Sequence, residues 1–171
     1  ESSHALAIAL NPNYEVVKYQ PYPHSNPNGS GIVFGSVTAR CANQEACADK
    51  TGMGVIALAP YITATTIFVV SDTLLSTGAV NPASITGRVL YFAGMAVPWW
   101  DFFFNSVWAV NPADAAVIAR NFEIPRWSVM ATGIGISAVG FCRLWEGGKR
   151  AFPGQSHGQA KESNLVIVPM G

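Results

Sequence analysis

Charged residues are missing from long stretches of this chain, and those stretches decide its first reading. None occurs in residues 51–71; Asp72 interrupts once, and 73–87 is neutral again. Residues 89–100 and 102–113 are neutral on either side of Asp101, and 127–142 is neutral between Arg126 and Arg143. An α-helix crossing a bilayer needs about 20 mostly apolar residues. Three segments meet that length: 53–75, 85–110 and 127–145. The pattern predicts an all-α membrane protein of about three transmembrane helices with long, mostly irregular N- and C-terminal arms. A core helix of a soluble domain would carry polar residues along one face. The stretch GVIALAPYITATTIFVV offers only Tyr61, Thr63, Thr65 and Thr66, and threonine hydroxyls can bond a carbonyl one turn back, which makes them cheap in lipid. Pro98, inside the second segment, predicts a bend. Arg143 is expected to reach toward the headgroups along its aliphatic stem.

The divisions follow: a polar N-terminal arm (1–50), a transmembrane domain (51–146) and a C-terminal tail (147–171). The arm contains NPNYEVVKYQPYPHSNPNGSG, with turns expected at Asn11-Pro12, Asn26-Pro27 and Asn28-Gly29. It should be extended and ordered by lying on another protein, for which Tyr14, Tyr19 and Tyr22 are suited. GIVFGSV (31–37) reads as a short strand or an interfacial turn. The tail is Gly-rich and ends in LVIVPM (165–170), either a docking strand for a partner or a partly disordered end. Beginning at Glu1 rather than at a methionine, the chain is expected to be a processed or partial form.

Composition agrees with the pattern. Of 171 residues, 50% are hydrophobic and 12% charged, against about 25% charged in soluble domains. Mean hydropathy is +0.26. Ten basic residues balance ten acidic ones, so no surplus exists to neutralise phosphates, and nucleic acid is excluded as a partner. Three cysteines are too few for a disulfide scaffold. Basic residues divide almost evenly between the two ends, and the GGKR cluster after Trp145 tips the vote toward a C-terminus on the cytoplasmic, matrix or stromal side. Trp127 and Trp145 bracket the third segment as interfacial belts do. Trp99, Trp100 and Trp108 lie in the second, where they read as packing against lipid or a partner helix.

Candidate chemistry is sparse. Cys41 and Cys47, six residues apart without a nearby histidine, make a poor zinc site and leave a disulfide and free thiols both open. Cys142 reads as a packing residue of the third segment. Asn28-Gly29-Ser30 matches the glycosylation pattern. None of His4, His24 and His157 lies in an apolar segment, which disfavours haem and removes the easiest chlorophyll ligand. Asp72 and Asp101 do lie in apolar segments, where an acid is expensive and marks a candidate site. Direct pairing between them is not expected. Asp101, with Asn105 one turn on, is either a proton-relay or ion-coordinating acid or a group bonded to a partner subunit or sitting at an interface. No Walker A, HExxH or GxSxG motif occurs, and no catalytic residue or metal site is assigned. Gly133 and Gly140, two turns apart in TGIGISAVG, form a small-residue face on which another helix can pack, whereas Gly135 points elsewhere.

The segment ITGRVLYFAGM (85–95) resembles, over eleven residues, the Gly-Arg helix of light-harvesting chlorophyll proteins, which are also small and three-spanning. In that family a glutamate five residues before the arginine pairs with an arginine of another helix and ligates chlorophyll. That position is Ala83 here, and Glu123 stands three, not five, residues before Arg126, so the chain is not assigned to the family.

The expected role is a non-catalytic accessory or structural subunit of a multisubunit membrane complex, an energy-transducing one, photosynthetic or respiratory. Its place would be a thylakoid, mitochondrial inner or bacterial inner membrane, and its partners other membrane subunits and the bilayer. Two other readings stay open. One is a small proton- or ion-coupled transporter using Asp101. The other is a pigment-binding antenna or photosystem subunit with non-histidine ligands, which would hold chlorophyll or carotenoid. The cofactor is left unassigned.

Overall fold

Two helices, α3 (Lys50–Ser76) and α7 (Arg126–Ala151), are long and apolar enough to cross a membrane, with mean hydropathies of 1.9 and 1.3 over their most apolar stretches. They run in the same direction, as contacts at both ends show: Lys50 meets Glu123 at one end and Asp72 meets Arg143 at the other. The computed structural model describes residues 2–25, 32–33, 35–107 and 114–154. Its remaining elements are α1 (Ser2–Ala9), β1 (Tyr14–Gln20), β2 (His24–Ser25), β3 (Ile32–Val33), β4 (Ser36–Cys41), α2 (Gln44–Cys47), α4 (Ile85–Tyr91), α5 (Val97–Val107) and α6 (Asp114–Asn121), with a π-helical turn at Phe92–Ala96.

Local chemistry explains the boundaries. Asp49 caps α3 by accepting from the Gly52 amide at 2.9 Å, satisfying one of the orphan donors at a helix start. Thr66 and Thr73 donate to the carbonyls of Ile62 and Val69, four residues back, so these two hydroxyls need no external partner. The helix ends at Thr77, and Gly78 makes the turn with φ +76°, a conformation open to glycine without strain. Ser84 then caps α4 through the Gly87 amide. Where Pro98 was expected to bend the second segment, the chain widens into the π turn just before it. Val97 donates to Phe92 O, five residues back. Proline has no N–H and its ring crowds the carbonyl four residues earlier, and a wider turn relieves both. From Ile85 to Val107 the helical backbone is continuous.

The buried apolar cluster is Leu75, Met95 and Leu144, one residue from each of α3, the π turn and α7, flanked by Phe68, Leu90, Tyr91 and Trp99. It lies toward the C-terminal ends of α3 and α7. At their N-terminal ends, α6 inserts Ala115, Ile118 and Ala119, all buried, while Arg120 faces out.

The N-terminal arm departs most from its expectation of irregular, partner-ordered chain. β1 pairs antiparallel with β4, from Tyr14 opposite Cys41 to Gln20 opposite Ser36, with an irregularity between Val16 and Lys18. β2 pairs with β3, so part of GIVFGSV is a strand. Ile8, Tyr14 and Ala46 are buried, and the Tyr14 hydroxyl donates to Ala46 O and Asp49 O. The arm thus folds as a small layer on the chain's own helix end. α7 continues through the GGKR cluster to Ala151. Gly147 and Gly148 lie against Tyr91, whose hydroxyl donates to Leu144 O, and a Cβ at Gly148 would come to 3.0 Å from that hydroxyl. The turns at Asn26-Pro27 and Asn28-Gly29, the Asn28-Gly29-Ser30 pattern, Trp108, His157 and the 165–170 run lie outside the described residues.

Candidate functional site

The two acids of the apolar segments sit in different surroundings. Asp72, on α3, is joined to Arg143 of α7, with Nε to Oδ2 at 2.8 Å. Arg143 also meets Glu146 one turn on, at 3.3 Å. The guanidinium expected to reach toward headgroups is paired instead with a carboxylate on a neighbouring helix. At the same end, Arg88 donates to Ala151 O at 3.2 Å and stands 5.2 Å from the centre of the Phe152 ring.

Asp101 faces the other end. It lies beside Tyr61, which is eleven residues, or about 16 Å, down α3 from Asp72. Its Oδ1 accepts from Asn105 Nδ2 at 3.0 Å, and the Tyr61 hydroxyl donates to Asn105 O at 3.0 Å. Both Asp101 and Asn105 are exposed on a helix that also carries Trp99, Trp100, Phe102, Phe103 and Phe104. Asp114, at the start of α6, borders the same hollow and meets His4 Nε2 at 3.3 Å. Hydrogen bonds link Tyr61, Asn105 and Asp101, and among the described residues no second acid is bonded to Asp101.

The small-residue face of α7 is occupied from within the chain. A Cβ on Gly133 would come to 2.5 Å from Ser106 Cβ, and one on Gly140 to 2.7 Å from Trp99 Cδ1. Gly135 has open space around it. Trp99 donates its Nε1–H to Ser137 O at 2.8 Å and stacks on Phe103, while Trp100 is exposed. The helix seated on Gly133 and Gly140 is α5. The spacing of small residues signalled close packing; it carried no information about which helix would arrive.

In the N-terminal layer, Cys41 and Cys47 are disulfide-bonded, tying the end of β4 to α2. Cys142, read as a packing residue, is exposed instead. Among the described residues, no three of His, Cys, Asp and Glu gather as a metal site requires. A hydrogen bond from Asn13 Nδ2 to Asp49 Oδ2, the cap of α3, ties the layer to the helices. Amide donation from Gly52 first, then the Asn13 side chain and the Thr51 amide, hold Asp49 below the usual carboxylate range. Lys50 does the same for Glu123. Burial first, then the Asp49 charge, push the Tyr14 hydroxyl up.

These shifts give a pH dependence. A carboxylate with a lowered folded pKa contributes stability above its unfolded pKa, about 3.9 for Asp, and loses it as pH falls through the folded value. The layer is therefore expected to hold at pH 5 and to loosen below the usual carboxylate range. The protection factor of the Gly52 amide, the ratio of its intrinsic to its observed exchange rate at the same pH, should fall there in the parent. In Asp49→Asn that protection factor should already be lower at neutral pH and should change little on acidification. An unchanged acid response in Asp49→Asn would show that another group governs the transition.

Comparison with family models, with characterised proteins and with solved structures finds no match.

Proposed function

We propose that this chain is an integral membrane protein of three spans, the third formed by α4, the π turn and α5, and that it acts as a non-catalytic accessory subunit of a larger membrane complex. What supports it most directly is apolar surface left exposed on two different parts of the molecule. Along the helices, Ile62, Val70, Val97, Trp100, Val139 and Trp145 face outward. Surface of that kind is at home against acyl chains and costly in water. In the N-terminal layer, outside any span, Leu6, Leu10, Val17 and Tyr22 are also exposed. Lipid tails do not reach that layer, so a protein surface is the natural cover. The continuous helix from Ile85 to Val107 would be about 35 Å long, enough for a crossing. The disulfide at one end, and Arg88, Lys149 and Arg150 at the other, favour an oxidising compartment for the N-terminal layer and a cytoplasmic, matrix or stromal C-terminal end. An energy-transducing complex, photosynthetic or respiratory, fits a small subunit of this design.

Extraction in a mild detergent followed by native electrophoresis is expected to find the chain in a species much heavier than its own 18.2 kDa. Absorbance of that species reports bound haem or pigment directly. Migration as a lone chain in every mild detergent would end the subunit reading. Asp101 supplies a separate check. Asp101→Asn is expected to assemble like the parent, since the amide oxygen still accepts from Asn105, and to leave the complex active. Intact assembly with abolished proton or ion flux would instead transfer the reading to a transporter built on Asp101.

A further inference from the structure

The Cys41–Cys47 bond closes a short loop in which α2 is a single turn of four residues. We propose that this disulfide is a redox-sensitive clasp: reduction by a dithiol releases α2 and so loosens the joint between the N-terminal layer and the start of α3. The proposal stands on the N-terminal layer and does not depend on the membrane placement of the helices.

Three observations carry it. The first is what α2 positions. The buried Tyr14 hydroxyl donates to Ala46 O at 3.0 Å and to Asp49 O at 3.1 Å, and the Asp49 amide donates back to Ala46 O. Asp49 accepts from Asn13 Nδ2 through one carboxylate oxygen and caps α3 through the other. Tyr14 and Asn13 thus meet the start of α3 through groups that α2 sets in place. The second is how little one turn holds by itself. Forming it fixes several dihedrals for very few hydrogen bonds, which is unfavourable in isolation. Asn43 caps the turn, and Ala46 is its buried residue. The covalent tie from Cys47 to the end of β4 supplies what the turn lacks. The third is access. Cys47 is exposed, whereas Cys41 is half-buried in the ladder opposite Tyr14. Exposed disulfides are the readily reduced ones. With a separation of six residues, the closed loop is also short, and short loops add least to global stability. Reduction therefore acts on the joint and not on the whole fold. In the exchange, a thiolate of the dithiol attacks Cys47 Sγ, the S–S bond breaks, and Cys41 leaves as a thiolate that takes up a proton. The second thiol of the reductant displaces Cys47 from the mixed disulfide, and Cys47 is protonated likewise. The dithiol ends as its own disulfide, oxidised by two electrons, and the chain gains two thiols.

The test uses the full chain in mild detergent at neutral pH, carrying Cys142→Ser so that only Cys41 and Cys47 can be alkylated. Dithiothreitol should make both cysteines alkylatable without denaturant. The protection factors of the Gly52 and Asp49 amides should then fall about fivefold, the worth of one helix cap, and should return on reoxidation. Amides in the middle of α3 should keep their protection. Cys41→Ala/Cys47→Ala should behave as the reduced form and ignore dithiothreitol. If that double variant fails to fold, reduction and reoxidation of the Cys142→Ser chain still decide. A bond that resists dithiothreitol in the folded chain, unchanged Gly52 and Asp49 protection after reduction, or protection lost along the whole of α3 would each overturn the clasp.

Discussion

Gly140→Leu and Gly133→Leu are expected to destabilise the isolated chain, not merely its association with others. The Cβ positions fall 2.7 Å from Trp99 and 2.5 Å from Ser106, well inside contact distance, and leucine adds three more carbons. Overpacking of this kind costs about 1–3 kcal/mol per site. At Gly140 the displaced Trp99 also risks its bond to Ser137 O, a further loss of about 1 kcal/mol. The thermal midpoint of the purified chain in detergent should fall for both variants, with loss of near-ultraviolet tryptophan dichroism strongest in Gly140→Leu. Gly135→Leu, with nothing within reach of its Cβ, should melt like the parent. If the two variants instead melt normally and only drop out of the native complex, then the Gly133/Gly140 face meets a neighbouring subunit and α5 must sit elsewhere.

That contrast shows where sequence reading stops. Apolarity is a local property, so charge-free runs located α3 to within three residues and the start of α7 to within one, while α7 runs six residues past the expected end. The hydroxyl of Thr66 found its carbonyl one turn back because that bond is also local. Pairings between distant residues were out of reach. Asp72 and Arg143 are 71 positions apart, and only the parallel packing of α3 and α7 brings them together. β1 and β4 are separated by a stretch rich in proline and asparagine, and that composition concealed two strands that stabilise each other only once paired. Nothing in the sequence marked Ser106, which is buried with no hydrogen-bond partner for its Oγ among the described residues. Its isolation follows from where α5 crosses Gly133, a geometry that no spacing rule encodes.

The Asp72–Arg143 pair should show strong and unequal coupling. Removing one partner of a buried ion pair costs about 3–5 kcal/mol. The Asp72 side chain is 18% exposed and that of Arg143 is 39% exposed, so solvent and headgroup screening reduce the expectation to about 1–3 kcal/mol. Arg143→Leu should be the worse single change. It strands the short carboxylate of Asp72, which, if α3 spans a membrane as proposed, cannot reach the boundary and must either stay charged in an apolar setting or take up a proton. Asp72→Leu leaves Arg143 with Glu146 at 3.3 Å and with a stem long enough to carry its charge toward water. The double variant Asp72→Leu/Arg143→Leu removes both charges and replaces them with apolar volume, and it should recover most of the loss. Unfolding in bicelles, compared across the four proteins, measures the coupling directly. A double variant as damaged as the sum of the singles would mean that the two charges do not depend on each other. The pair would then lie in the wet boundary layer, and the ends of α3 and α7 would have to be drawn farther out of the membrane than this reading places them.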